Sequence, residues 1–199
     1  MNRGYHEIKE HGKREFPFNI YPCSIPVDFS HVALHWHEEM EIIAVKKGKG
    51  RITVDTVSYP VEEGDILAVF PGQLHAISCG NGERMEYENI IFRLSMLMGD
   101  NGDGCTVHFL KPLQEGQAKN PVLIQRNQPD HEVFGKVIQE LDRFSEIRGN
   151  GYQLAVKGQL FLFLYYAYGR GILFTEKKPG HAREKIKGIL CLLYTSPSP

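Results

Sequence analysis

The stretch that decides the fold is "HWHEEMEIIAVKKGKG", His35 to Gly50. On an extended chain, residues two apart face the same side, so His35 and His37 project together, about 7 Å apart at the backbone. Glu41 has the same parity and falls near them. Two imidazoles and a carboxylate on one face can meet on a single cation, and His75 in "FPGQLH" can join them if strand pairing closes the gap in sequence. Histidine and carboxylate together suit iron, manganese, nickel, zinc or copper, so the donor set leaves the choice of metal open. Trp36, between the histidines, points to the opposite face and reads as packing or interface surface.

Around this stretch lie short runs rich in Val, Ile, Phe and Tyr, broken by Gly and Asn-Gly: "VALHWH", "EIIAV", "RITV", "VSYPV", "ILAVF", "HAIS" and "MEYENIIFRL". That texture, from Phe16 to about Ile124, predicts an antiparallel sandwich or barrel. "KKGKG" reads as a hairpin turn, with Gly48 and Gly50 supplying left-handed backbone. Gly64 and the Pro71-Gly72 pair read as turns, the second aiming His75 inward. "GDNGDG" (Gly99–Gly104) reads as a loop whose acids miss EF-hand spacing.

Beyond Pro129 the period changes. Val133, Val137, Ile138, Leu141 and Phe144 recur at helical spacing, Asp130 is placed to cap the start, and "GNG" at 149–151 to end it. "YQLAVKGQLFLFLYYAY" is apolar around most of its circumference, so it needs cover on two sides: the sheet or a helix on one, a helix or dimer partner on the other. "REKIKGIL" reads as the opening of a third helix after a basic linker carrying Lys177, Lys178, Arg183, Lys185 and Lys187, which could touch phosphates.

The 199 residues carry a net charge of −1, so bulk charge names neither nucleic acid nor an anionic membrane as partner. Cys23, Cys79, Cys105 and Cys191 form no CxxC pair and read as free thiols. The N-terminus is polar and unlike a signal peptide, and the apolar run Leu160–Tyr168 is too short to span a bilayer, so the expected location is cytoplasmic, off the membrane. No GxSxG, P-loop, dinucleotide fingerprint or HExxH is present, and no catalytic residue is assigned.

The ordered set His35, His37, Glu41 and Gly48, then Gly64, Pro71, Gly72 and His75, resembles the two motifs of the cupin superfamily, over roughly residues 16–125. One departure is that Pro71 directly precedes Gly72, where the enzyme-type motif leaves a residue between. The stretches "HWHEEMEIIAVKKGKG", "YPVEEGDILAVFPGQLHAI", "FLKPLQEG" and "GYQLAVKGQLFLFLYYAYGRG" together resemble the N-terminal half of an AraC-family transcriptional regulator, from about residue 16 to about residue 190. The resemblance implies a mainly β, cupin-type jelly-roll barrel followed by two to three α-helices. It divides the chain into an effector-binding barrel with its arm at 1–125, a helical dimerisation or packing segment at 126–176, and a basic linker with the start of a DNA-binding domain at 177–199.

It further implies a small-molecule effector, often a sugar, held inside the barrel by His35, His37, Glu41 and His75, with Arg51 and Tyr59 as further contacts. A homodimer and DNA contact through a C-terminal domain absent from this chain would follow. No cofactor is required, though the four-residue set could hold a divalent transition metal. Effector binding would repack the barrel, the arm (Asn2–Phe18) and the helices, and Phe16, Phe18 and Tyr21 would cover the barrel mouth or form a strand edge. The tail "CLLYTSPSP" departs from the family, and a truncated or chimeric reading frame is expected there. The alternative is a metal-dependent cupin enzyme of dioxygenase or sugar-phosphate isomerase type.

Overall fold

A computed structural model describes residues 5–7, 9, 11–100, 102–172 and 174. The predicted linker, the start of the third helix and Cys191 lie outside the described residues. The strands are β1 (Phe18–Ile25), β2 (Val32–His35), β3 (Met40–Val54), β4 (Val57–Glu62), β5 (Ile66–Val69), β6 (His75–Ser78), β7 (Met85–Phe92) and β8 (Val122–Ile124). They pair antiparallel in the order β1-β7-β3-β5-β8, while the far half of β3 turns into a second layer with β4 and β6, and β6 pairs β2. This is the jelly-roll barrel of the cupin type.

One strand thus builds both walls. "KKGKG" is no hairpin turn: β3 runs unbroken through it, with a bulge between Val45 and Lys47. Gly48 does adopt left-handed backbone (φ +77°), and a Cβ there would lie 2.0 Å from the Arg84 carbonyl oxygen. Gly50 is needed for a different reason, because Met85 Sδ and the Ser78 carbonyl leave no room for a side chain. The bulge bends the strand and switches the parity of its inward residues. Ile43 and Val45 before it, and Ile52 and Val54 after it, fill the barrel interior with Ile25, Leu67, Ile77 and Tyr87. Fully burying such side chains contributes about 1.5–3 kcal/mol each.

The opposite parity of β3 serves a second core. Met40, Ile42 and Ala44 face away from the barrel and pack with Phe134, Val137, Ile138 and Leu141 of α2 (His131–Ile147) and with Leu160 and Phe163 of α3 (Tyr152–Gly169). Phe16 and Phe18 belong to this layer, Phe16 lying edge-on to Tyr152, so they do not cover the barrel mouth. Helix α2 ends with Arg148 in the left-handed region (φ 45°), ahead of the expected glycines, and Gly151 (φ 77°) starts α3. Asp130 makes no side-chain cap; its carboxylate instead accepts from Arg170 at 2.6 and 2.7 Å, tying the end of α3 to the start of α2.

One helical piece was not foreseen. Asp103 accepts from the Thr106 backbone N–H (2.8 Å) and hydroxyl (2.7 Å), and a π-turn over Thr106–Leu110 leads into α1 (Lys111–Gln114). On α3, Leu154, Phe161, Leu162 and Tyr165 form an exposed apolar stripe at the i, i+7, i+8, i+11 spacing. Phe109 lies exposed beside it, edge-on to Tyr168. No described helix is long and apolar enough to cross a membrane.

Candidate metal and effector site

Two strand ends, one strand centre and one turn bring the cluster together. His35 ends β2 and lies across from His75 at the start of β6, their ring centroids 4.2 Å apart. Glu41 sits on β3 between Val69 of β5 and Ile91 of β7, in the middle of its sheet. The turn Phe70–Gln73 places Pro71 at its second position and Gly72 (φ 77°) at its third, the pattern of a type II turn. The Gln73 side chain folds back to accept from the Phe70 N–H at 2.7 Å.

Each ring is oriented by a backbone carbonyl two residues away. Nδ1–H of His35 donates to Ala33 (2.9 Å), that of His37 to Glu39 (3.1 Å) and that of His75 to Gln73 (3.0 Å). With Nδ1 carrying the proton, all three Nε2 atoms are turned inward. His37 Nε2 lies 2.9 Å and His75 Nε2 3.0 Å from the same Glu41 oxygen. The donor atoms of His35, His37, Glu41 and His75 all fall within 4.8 Å of one another.

Two neutral imidazoles cannot both direct lone pairs at a carboxylate oxygen at these distances without something positive among them. Protons on the rings or a metal cation supply it. Three inward Nε2 atoms with one carboxylate therefore fit a divalent transition metal by chemistry as well as by spacing.

The electrostatics agree. Burial opposes ionisation of Glu41, yet the adjoining His75 and His37 rings hold its carboxyl well below the usual carboxylate range. Burial alone would lower His37, but its bond to Glu41 raises it above its ordinary value. His35 is lowered, by burial and then by the neighbouring His75. Cys23, on the inward side of β1, is pushed up to about 11 by burial and then by the Glu41 charge, so it stays a thiol.

Of the six expected contact residues, four converge and two do not. Arg51 is exposed on the outward side of β3, its guanidinium 3.3 Å from Ser58 Oγ. It follows the parity set by the bulge, in which Ile52 and Val54 point inward. Tyr59 is half-buried against the interior apolar cluster rather than among the histidines. Sequence reasoning missed Glu39, whose carbonyl orients His37 and whose carboxylate accepts from Arg93 at 2.8 Å, and it missed Gln73 and Glu7. The i−2 or i+2 carbonyl contacts follow from local turn geometry; nothing in the sequence marks Glu7.

The family model for the AraC-like ligand binding domain matches residues 26–164, which takes in strands β2 to β8, the histidine cluster and most of α3. The chain belongs to this family. The chain is also 27% identical over 88 residues to the "Uncharacterized HTH-type transcriptional regulator YdeC" of Bacillus subtilis (strain 168), a match covering 44% of this chain and 30% of that protein. The chain thus matches under a third of that relative's length. Among solved structures it is similar to ToxT from Vibrio cholerae O395, at 17% identity and TM-score 0.46, covering 94% of this chain and 67% of that one. It is similar as well to a Cupin 2 conserved barrel domain protein from Salinispora arenicola CNS-205, at 22% identity and TM-score 0.37, covering 40% and 66%.

Proposed function

We propose that this chain is the effector-sensing and dimerisation part of an AraC-type transcription regulator. In this reading a small metabolite binds at His35, His37, Glu41 and His75 and controls the regulator's binding to DNA. The observation that carries the reading is the convergence of three inward Nε2 atoms and a buried carboxylate inside an AraC-like barrel. Of the four, His35 is the most exposed, which makes it the side of entry. A divalent cation, when bound, would supply a Lewis-acid anchor for an oxygen donor. The residues themselves orient that donor: the carbonyls of Ala33, Glu39 and Gln73 hold the rings, and Glu41 holds the charge. No residue is assigned a catalytic role, and a cytoplasmic location accords with DNA as the target.

Switching requires that the effector bind one arrangement of barrel and helices better than another. The exposed stripe on α3 supports a homodimer as the partner arrangement. The domain division at 1–125, 126–176 and 177–199 belongs to the same proposal.

A second reading, a metal-dependent cupin enzyme, draws on the completeness of the ligand set. One experiment separates them. The purified chain is assayed for bound metal, then its melting temperature is followed across a metabolite panel for wild type and His75→Ala. A metabolite that stabilises wild type and not His75→Ala, with no turnover, supports the sensor. Turnover of a panel member with added Fe(II) or Mn(II) overturns it in favour of the enzyme.

A further inference from the structure

A strap of residues 5–7 lies against Trp36, beside the histidine cluster. The Trp36 N–H donates to the Tyr5 carbonyl at 2.8 Å, and the Glu7 N–H donates to the Trp36 carbonyl at 3.0 Å. Between them His6 forms a parallel bridge to Trp36 and stacks on the indole, ring centroids 4.2 Å apart. The strap is thereby pinned to the residue that separates His35 from His37.

These contacts place the Glu7 carboxylate at the exposed side of the cluster. Its Oε2 lies 3.6 Å from His35 Nε2, and its Oε1 lies 4.0 Å from His11 Nε2. His11 is 5% exposed; its Nδ1 meets the Tyr21 hydroxyl at 3.1 Å, while its Nε2 has no hydrogen-bond partner. Glu7 therefore stands between a nitrogen of the cluster and a buried nitrogen that lacks a partner. Both distances exceed those of a closed hydrogen bond. The carboxylate is beside its partners without being locked to them.

We infer that Glu7 occupies the place of the effector's acid group, and that the effector is a small organic acid that displaces it. This rests on reading the four-residue cluster as the ligand site, with or without a metal. Charge decides the class. A divalent cation beside the Glu41 carboxylate leaves the pocket at +1, since the nearby Glu39 carboxylate, 3.8 Å from His37 Nδ1, is already paired with Arg93, and the Glu7 carboxylate returns it to neutral. A neutral sugar taking the place of Glu7 would leave that charge uncompensated. A carboxylate preserves the balance and offers an acceptor to His11 Nε2–H, whose Nδ1 meets the Tyr21 hydroxyl. Because Glu7 is tethered, it competes as an internal ligand at high effective concentration.

The test loads the chain with Co(II) and follows its visible absorption in wild type and Glu7→Gln during titration with acetate, oxalate and glucose. The isosteric change retains the backbone pairing to Trp36. The expected result is that acetate and oxalate bind Glu7→Gln about tenfold more tightly than wild type, with glucose inert in both. Equal acid affinities in the two proteins, or a stronger response to glucose than to acetate, would overturn the inference. If no Co(II) binds, the metal reading fails separately. The same titrations are then read on the metal-free chain from the His35 ring signals in NMR, where a tenfold lower oxalate midpoint for Glu7→Gln supports the inference and an unchanged midpoint ends it.

Discussion

Gly72 donates its backbone N–H to the carbonyl of His37 at 2.8 Å. The turn that launches His75 is therefore stitched to the chain that presents His37, and the two motifs hold each other in register. Gly72 has left-handed backbone, but a Cβ there would meet nothing within 4 Å. Gly72→Ala should cost only the conformational penalty, about 1 kcal/mol. At Gly48 the same change adds collision with the Arg84 carbonyl, and a loss of at least about 3 kcal/mol is expected. Urea denaturation of the two variants side by side checks the order.

Among the described residues, Glu41 is the only carboxylate whose oxygen meets two rings of the cluster, and it is 1% exposed. Glu41→Ala should abolish metal uptake and destabilise the chain by about 3–5 kcal/mol, as removal of one partner from a buried ionic group does. Metal analysis by mass spectrometry and chemical denaturation read the two effects separately. Retained stoichiometric metal in Glu41→Ala would remove this residue from the ligand set.

The metal-free chain should be most stable near neutral pH. Glu41 is held below its ordinary value of 4.5, so its contribution is present above that pH and is lost as pH falls. His35 is also held below its ordinary 6.5, and protonation of the unfolded chain removes its contribution as pH drops under that value. His37 is raised instead, so its share is full below 6.5 and disappears as pH climbs through the raised value. Melting temperatures of wild type and Glu41→Gln from about pH 4 to about pH 9 test this, with the gap expected to start narrowing once pH falls below about 4.5.

The stripe on α3 should be an association surface. Tyr165 is 71% exposed and Leu154 77%, so Leu154→Glu with Tyr165→Glu should leave the fold within about 0.5 kcal/mol. Sedimentation velocity should find the wild type dimeric and the double variant monomeric. A wild type that sediments as a monomer at all concentrations would remove the dimer from the proposal.

The sequence made the site legible because a strand's period is short and strict: the spacing of His35, His37 and Glu41 fixes a common face without knowledge of any partner. His75 was legible through its Pro-Gly turn. The path of β3 was not, since Lys-Lys-Gly-Lys-Gly carries every mark of a hairpin while its glycines in fact serve a bulge and a close crossing. That bulge resets the parity, which is why Arg51 was assigned inward and lies outward. The helical turn at Thr106–Leu110 was hidden in a glycine-rich approach, where Asp103 acts as the nucleating acceptor. Glu7 was invisible because its position depends on a backbone bridge to Trp36, a contact that no periodicity encodes.

The bulged strand has a mechanical consequence. Glu41 and Ile43 form the floor of the pocket, while Met40, Ile42 and Ala44, alternating with them, are the ceiling against which α2 and α3 rest. In the proposed reading, sensor and output would be two sides of one sheet of atoms, separated by a single backbone. A displacement of the carboxylate is a displacement of the helical seat, so a signal need not be relayed along the molecule; it has only to cross the thickness of a strand.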